Sequence, residues 1–173
     1  GEERLHKVAE LAHRFGAAVV ALVIDETGMA MTTARKLEVA ERILTLCREH
    51  GLDEGDLLFD MLTFTVASGD QSTRDSAVQT MNAIEQFKAK YPRARTVLGV
   101  SNVSFGLKPA SRRVLNSVFL RLAIDKGLDA AILNARGIAP LHKVDEETLQ
   151  WARRLLLDDQ TRGDPLAQFM ECF

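Results

Sequence analysis

Four apolar segments of the chain each end on acidic or amide side chains, the residue types here best suited to ligand chemistry. The polar groups are Asp25 with Glu26, Asp60, Ser101 with Asn102, and Asn134. A carboxylate accepts two N–H bonds and an amide both donates and accepts, so this set can recognise a flat, nitrogen-rich heterocycle. Asp and Asn also favour loop starts for purely local reasons. The pattern therefore suggests a binding site and leaves the local explanation open.

The motifs of several other kinds of site are missing from the sequence. No GxGxxG or Walker-type glycine loop follows an apolar segment, which argues against dinucleotide and P-loop phosphate sites. No GxSxG elbow occurs, and no lysine stands at a strand end for Schiff-base chemistry. The histidines lack HxxH and HExxH spacing, so we expect no zinc site.

The apolar segments alternate with amphipathic ones along the chain. Short runs rich in β-branched and other apolar residues predict buried strands at 17–26, 56–64, 95–100 and 128–135. Helices are predicted at 2–14, 32–50, 72–90, 109–126, 145–157 and from 164, with a capping-box-like start at Ser72. Gly51 and Gly127 are placed to end two of these helices, and Pro109 to begin another.

Strand followed by helix, repeated four times, predicts a parallel sheet with helices outside it. Two architectures fit this pattern: a small doubly wound sheet, or part of a (β/α)8 barrel. A complete barrel has eight strands and typically about 250 residues, so four units can form only half of one. In both architectures ligands bind beyond the carboxyl ends of the strands, where the polar groups are predicted to lie.

The amino-acid composition of the chain limits the classes of function that the protein can have. The 173 residues are 46% hydrophobic and 27% charged with a formal net charge of -2, an ordinary globular profile that gives no support for nucleic-acid binding. No apolar run reaches the length of a transmembrane helix and no signal-peptide pattern opens the chain, so we expect a cytoplasmic protein. Cys47 and Cys172 are expected to be reduced thiols. Because the chain starts at Gly1 and enters a helix at once, we expect a segment of a longer protein.

Four blocks of the sequence resemble a known family. They are FGAAVVALVIDETGMAMTTARKLEVAERI, LLFDMLTFTVASGD, GVSNVSFGLKPASRRVLNSVFLRLAIDKGLDAAILNA and the closing DPLAQFMECF. In this order they resemble the methyltetrahydrofolate-binding, or pterin-binding, barrel of cobalamin-dependent methionine synthases and methyltetrahydrofolate:corrinoid methyltransferases. The resemblance covers nearly the whole chain, and the GVSNVSFGL block is its most specific part.

The resemblance implies an α/β fold in which residues 1–173 form the C-terminal half of a TIM (β/α)8 barrel, with about four parallel strands and outer helices. The implied activity is binding of 5-methyltetrahydrofolate and transfer of its N5 methyl group to cob(I)alamin during methionine synthesis. Cobalamin would be carried by another domain or a corrinoid protein, and the N-terminal half-barrel would be the remaining partner. No nucleic-acid or membrane partner is implied.

The family's roles transfer to particular residues of this chain. Asp60 would bind the polar edge of the pterin, and Asn102 would face N5 as the catalytic amide. Ser104 would help to order water for proton delivery, while Asp25 and Asn134 would support the site from the barrel mouth. The family usually has proline after the acid, where this chain has Met61.

Two alternatives remain open. Dihydropteroate synthase is the nearest relative with different chemistry, but it carries a lysine-bearing Ser-Arg-Lys block where this chain has Ser101, Asn102 and Val103. The other alternative is a half-barrel that binds or supports structure without catalysis, because the family's other pterin-binding acid and amide come from the first half of the barrel.

Overall fold

A computed structural model describes residues 2–173, which form a four-stranded sheet, a two-stranded hairpin and six α-helices within that range. In chain order the elements are α1 (Glu2–Phe15), β1 (Val19–Leu22), β2 (Ile24–Asp25), β3 (Gly28–Met29), α2 (Thr33–Glu49), β4 (Leu57–Asp60), α3 (Ser76–Lys90), β5 (Arg95–Gly99), α4 (Pro109–Asp125), β6 (Ala130–Ile132), α5 (Glu146–Leu156) and α6 (Pro165–Glu171).

The main sheet is parallel throughout and has the strand order β1-β4-β5-β6. Spatial order therefore follows chain order, with no reversal. A doubly wound sheet needs a switch point where the order reverses, whereas a barrel is wound in one direction. The predicted α/β fold class is confirmed, and the sheet agrees with part of a (β/α)8 barrel.

The two faces of the sheet have different environments. One face packs against the helices and carries Phe59 and Leu98, both fully buried. The other face carries the alternate residues and is open: Val20 is 50% exposed, Leu22 45% and Ile132 62%. In a barrel this open face lines the interior, so we refer to it below as the inner face.

The prediction of one continuous strand at 17–26 is wrong. β1 ends at Leu22, and the chain then forms the antiparallel hairpin β2–β3, in which Asp25 is paired with Gly28. The backbone N–H of Thr27 donates to Asp25 Oδ1 over 2.9 Å, and Gly28 has a φ of 117°, which favours glycine. The apolar run concealed this turn because Val23 and Ile24 continue the composition of the strand.

The predicted start of α3 is also wrong, since the helix begins at Ser76 rather than at Ser72. Asp70 accepts the N–H of Ser72 over 2.8 Å, and the hydroxyls of Ser68 and Thr73 pair at 2.9 Å. These bonds close a series of turns before the helix, and the Asp75 carboxylate accepts from Gln79 Nε2 over 2.7 Å instead of bonding back to Ser72. The other helix boundaries agree with prediction to within two residues, including Pro109 in the first turn of α4.

Two kinds of feature are absent from the described part of the chain. No helix within residues 2–173 combines the length and the apolar character needed to cross a lipid bilayer. Over the same range, His, Cys, Asp and Glu side chains form no group of three that could hold a metal ion.

Candidate functional site

The carboxyl edge of the sheet brings two of the predicted site residues onto neighbouring strands. Asp60 is the last residue of β4, level with Val97 of the adjacent strand β5. Asn102 follows β5 in a 3-10 turn at Val100–Ser104. Adjacent strands lie about 4.8 Å apart, so one small ring can reach the segments that carry both side chains.

Asp60 is half-buried and is held by the loop that follows it. Its Oδ1 accepts the N–H of Leu62 over 2.9 Å, while Oδ2 makes no hydrogen bond within residues 2–173. Burial raises the pKa of the Asp60 carboxyl, and the Leu62 N–H together with the positive charge of Lys36 oppose that rise. One carboxylate oxygen is thus fixed and the other is available to a ligand.

The loop after β4 is anchored by a buried cation that the sequence prediction missed. Lys36 of α2 is fully buried, and its Nζ donates to the carbonyls of Ala30, Met61 and Leu62 over 2.9, 2.7 and 3.0 Å. Thr80 of α3 donates to the same Leu62 carbonyl over 2.7 Å. The available signal was the position of Lys36 on the apolar stripe of α2, in line with the buried residues that follow it.

Asn102 is exposed, and its side chain lies against the backbone of Gly99. A Cβ at Gly99 would be 3.1 Å from Asn102 Nδ2, so the absence of a side chain there lets the amide occupy this position. The Asn102 amide makes no hydrogen bond to any described residue between 2 and 173. Its donor and acceptor are therefore both free for a ligand.

Ser104 lies beneath the turn rather than on its surface. It is fully buried, and its hydroxyl donates to the Ser101 carbonyl over 3.2 Å and accepts from Arg112 Nε over 3.1 Å. Arg112 of α4 also donates to the Ser101 carbonyl over 3.2 Å. The structure thus gives the Ser104 hydroxyl partners inside the protein, where it holds the turn that presents Asn102.

The other two predicted residues have different surroundings. The Asp25 side chain is only 1% exposed: it accepts from the Thr27 N–H and hydroxyl and pairs with Arg35. The hydrogen bonds from Thr27 and the Arg35 charge lower the pKa of Asp25. Its carboxylate is thereby committed to the hairpin, and the structure does not bring it together with Asp60 and Asn102.

Asn134 follows β6 at the carboxyl edge of the sheet and is exposed. Its Oδ1 accepts the N–H of Arg136 over 3.1 Å, which caps a short turn at Ala135–Gly137. Ile132, two residues earlier, is level with Gly99 at the end of β5. Asn134 therefore lies at the same edge of the sheet as Asn102. Its side-chain nitrogen makes no hydrogen bond to any of the residues 2–173 that the structure describes.

Replacing Arg112 by methionine is expected to destabilise the protein by about 1–3 kcal/mol, because two buried acceptors beneath the Asn102 turn lose a charged donor. Arg113 is the matched control: it is exposed, and its side chain makes no hydrogen bond within the described residues. Urea unfolding of both variants measures the difference, and equal losses for Arg112→Met and Arg113→Met would contradict the role given to Arg112.

Comparison with known proteins shows the family of the chain. Residues 1–134 match the family described as pterin binding enzyme. Two methionine synthases are similar to this chain over 99% of the chain's length. The chain is 45% identical to that of Mycobacterium leprae (strain TN) and 44% identical to that of Mycobacterium tuberculosis (strain ATCC 25618 / H37Rv). It spans 14% and 15% of the length of these two relatives. The predicted resemblance is confirmed, and the chain belongs to the pterin-binding enzyme family.

Proposed function

We propose that this chain is the second half of a barrel that binds 5-methyltetrahydrofolate and promotes transfer of its N5 methyl group to cob(I)alamin in methionine synthesis. The observation that carries the proposal is the pair Asp60 and Asn102. Both follow neighbouring strands at the carboxyl edge of a pterin-binding sheet, and both retain unused hydrogen-bonding capacity. The two methionine synthases similar to this chain support the choice of folate.

Asp60 is proposed to bind the polar edge of the pterin ring. That edge offers ring and exocyclic N–H groups, and a carboxylate accepts such donors through both oxygens. Because Oδ1 is already bonded to the Leu62 N–H, the carboxylate has a fixed orientation before the ligand arrives. Preorganisation of this kind reduces the entropy lost on binding.

Asn102 is proposed to act on N5 of the folate. When the bond between the methyl carbon and N5 breaks, its electron pair stays on N5, and an unprotonated amine leaves poorly. N5 therefore gains a proton along the reaction path. The Asn102 amide can donate to N5 before protonation and present its oxygen afterwards, since it never titrates. It stabilises the developing charge, and water near Asp60 delivers the proton.

Cobalamin is assigned to another domain or to a partner protein. The chain spans 14% and 15% of the length of the two similar methionine synthases, which leaves most of each relative for other domains. When bound nearby, cob(I)alamin supplies the nucleophilic cobalt that accepts the methyl group.

The remaining half of the barrel is proposed to cover the open inner face and the free edge of β1. A groove of about 360 Å³ runs along that edge, lined by Leu5 and Val8 of α1 and by Val20 and Leu22 of β1. Its lining is mainly apolar, and β1 is bonded to β4 on one side only within residues 2–173. A further parallel strand can pair with β1 and bury these side chains.

A dihydropteroate synthase-like reaction is disfavoured at this site. The position that would carry its lysine is Val103, which is fully buried. The buried side chain packs in the core and offers no cation to a substrate. We therefore retain methyl transfer as the proposed reaction.

Replacing Asp60 by asparagine in the complete barrel is expected to weaken folate binding about 10–100-fold. The variant keeps the size of the side chain but replaces a charged acceptor by a neutral amide, and hydrogen bonds to charged groups contribute about 1.5–3 kcal/mol. Titration calorimetry with 5-methyltetrahydrofolate measures the change. Asp125→Asn, at the exposed C-terminal end of α4, is the control. Unchanged affinity in Asp60→Asn would overturn the assignment.

A further inference from the structure

We propose that Lys36 is a positioning residue for Asp60, fixing the loop after β4 and holding the Asp60 carboxyl as the anion that a pterin requires. This inference rests on the proposed function, in which Asp60 binds the pterin ring. It gives a role in the site to a residue of α2 that does not itself reach the ligand.

The Lys36 ammonium group has all three of its donors in use inside the protein. They bond the carbonyl of Ala30, which follows the hairpin, and those of Met61 and Leu62, which follow β4. Burying an ammonium group is costly, and an apolar side chain would satisfy a purely packing role at this helix position. The three hydrogen bonds offset this cost, and they join the end of the hairpin to the loop after β4.

Leu62 links the cation to the carboxylate. It has a φ of 52°, in the left-handed region that non-glycine residues rarely adopt. In this conformation its carbonyl accepts from Lys36 while its N–H donates to Asp60 Oδ1 over 2.9 Å. A change at Lys36 therefore reaches Asp60 through a single residue.

The charge of Lys36 acts on Asp60 as well. Burial lowers the pKa of Lys36 to about 8, so the side chain remains a cation at neutral pH, and this charge opposes the rise that burial causes in the pKa of Asp60. The residues level with Asp60 are the uncharged Leu22 and Val97. Arg95 is level with Leu58, two residues before Asp60, and Asp25 is paired with Arg35. From α3 the loop receives the neutral Thr80.

Two substitutions separate the charge from the hydrogen bonds. Lys36→Gln keeps an N–H donor and removes the charge, whereas Thr80→Val removes a bond to the same Leu62 carbonyl and keeps the charge. In the complete barrel, folate binding by Lys36→Gln is expected to be roughly tenfold weaker at neutral pH, with its acid midpoint moved to higher pH. Thr80→Val is expected to lower the urea midpoint of unfolding, because one hydrogen bond is lost, and to leave the acid midpoint in place.

The decisive measurement needs no folate. Carbon-13 NMR of labelled aspartates, with the Asp60 signal assigned by its loss in Asp60→Asn, follows the carboxyl directly. Lys36→Gln is expected to raise its titration midpoint, and Thr80→Val to leave it unchanged. In the wild-type protein, the Asp60 signal is expected to shift once as Asp60 itself titrates and a second time as Lys36 loses its proton at a pH of about 8.

The possible outcomes are distinct. An unchanged Asp60 midpoint in Lys36→Gln, or an equal shift in Thr80→Val, overturns the inference. If the lysine variant does not fold, the wild-type titration decides, and absence of the second shift overturns it. Failure of the wild-type barrel to bind folate would overturn the proposed function alone, because the NMR titration of Asp60 is made without ligand.

Discussion

Replacing Asn102 by alanine in the complete barrel is expected to slow methyl transfer to cob(I)alamin about 10²–10³-fold, with a much smaller loss of folate affinity. The reason is that the hydrogen bond between the Asn102 amide and N5 becomes strongest as charge develops on N5, after the folate is bound. An interaction that strengthens towards the transition state affects the rate more than the binding. Loss of one such preorganised donor typically costs about 2.7–4 kcal/mol.

Stopped-flow absorbance of cob(I)alamin, mixed with the barrel and saturating folate, measures the methyl-transfer rate. Asn82→Ala is a suitable control, since Asn82 is an amide on α3, outside the site. An unchanged rate in Asn102→Ala would end the catalytic assignment. A rate loss matched by an equal loss of affinity would instead make Asn102 a binding residue only.

Replacing Phe59 by alanine is expected to lower the free energy of unfolding by about 3–5 kcal/mol. Phe59 is fully buried on the helix-facing side of β4, and its ring centre is 4.8 Å from that of Phe87 in α3. The Phe87 ring in turn lies 5.1 Å from that of Tyr91. Truncation removes the strand's contribution to this aromatic row and leaves a cavity at the position that immediately precedes Asp60.

Urea unfolding measured as a shift in midpoint at constant slope provides the value. Phe105→Ala is the matched control, because this phenylalanine is 70% exposed and its loss is expected to change stability by less than about 0.5 kcal/mol. A loss in Phe59→Ala no larger than in Phe105→Ala would show that β4 is not fixed by its outer face.

The general fold could be predicted from the sequence because parallel strands that are covered by helices have a simple signature. Leu57 to Asp60 is a short apolar run ended by an acid, and it forms β4 as expected. The hairpin at Ile24–Met29 could not be predicted in this way, since Val23 and Ile24 continue the apolar run of β1 without a break. The hairpin depends on a turn between β2 and β3 that the Asp25 carboxylate stabilises by accepting from Thr27, which is a local hydrogen-bonding effect.

The candidate site was predictable in its exposed residues and not in the groups that hold them. Asp60 and Asn102 could be placed at one edge because the carboxyl ends of parallel strands share that edge. The burial of Lys36 could be inferred from its place on the apolar stripe of α2, but the carbonyl groups that Lys36 and Arg112 bond could not be inferred from residue spacing. Ser104 looked accessible for the same reason, because its partner Arg112 lies eight residues away on the next helix.

The neighbours of Asp60 on the inner face have a consequence for the strength of its interactions. Leu22 and Val97 stand level with it on either side, so the carboxylate lies between two hydrocarbon side chains. Hydrocarbon is poorly polarisable and screens charge far less than water does. The aliphatic flanks therefore reduce the solvent screening on two sides of the carboxylate, which strengthens each hydrogen bond that a ligand makes to Asp60.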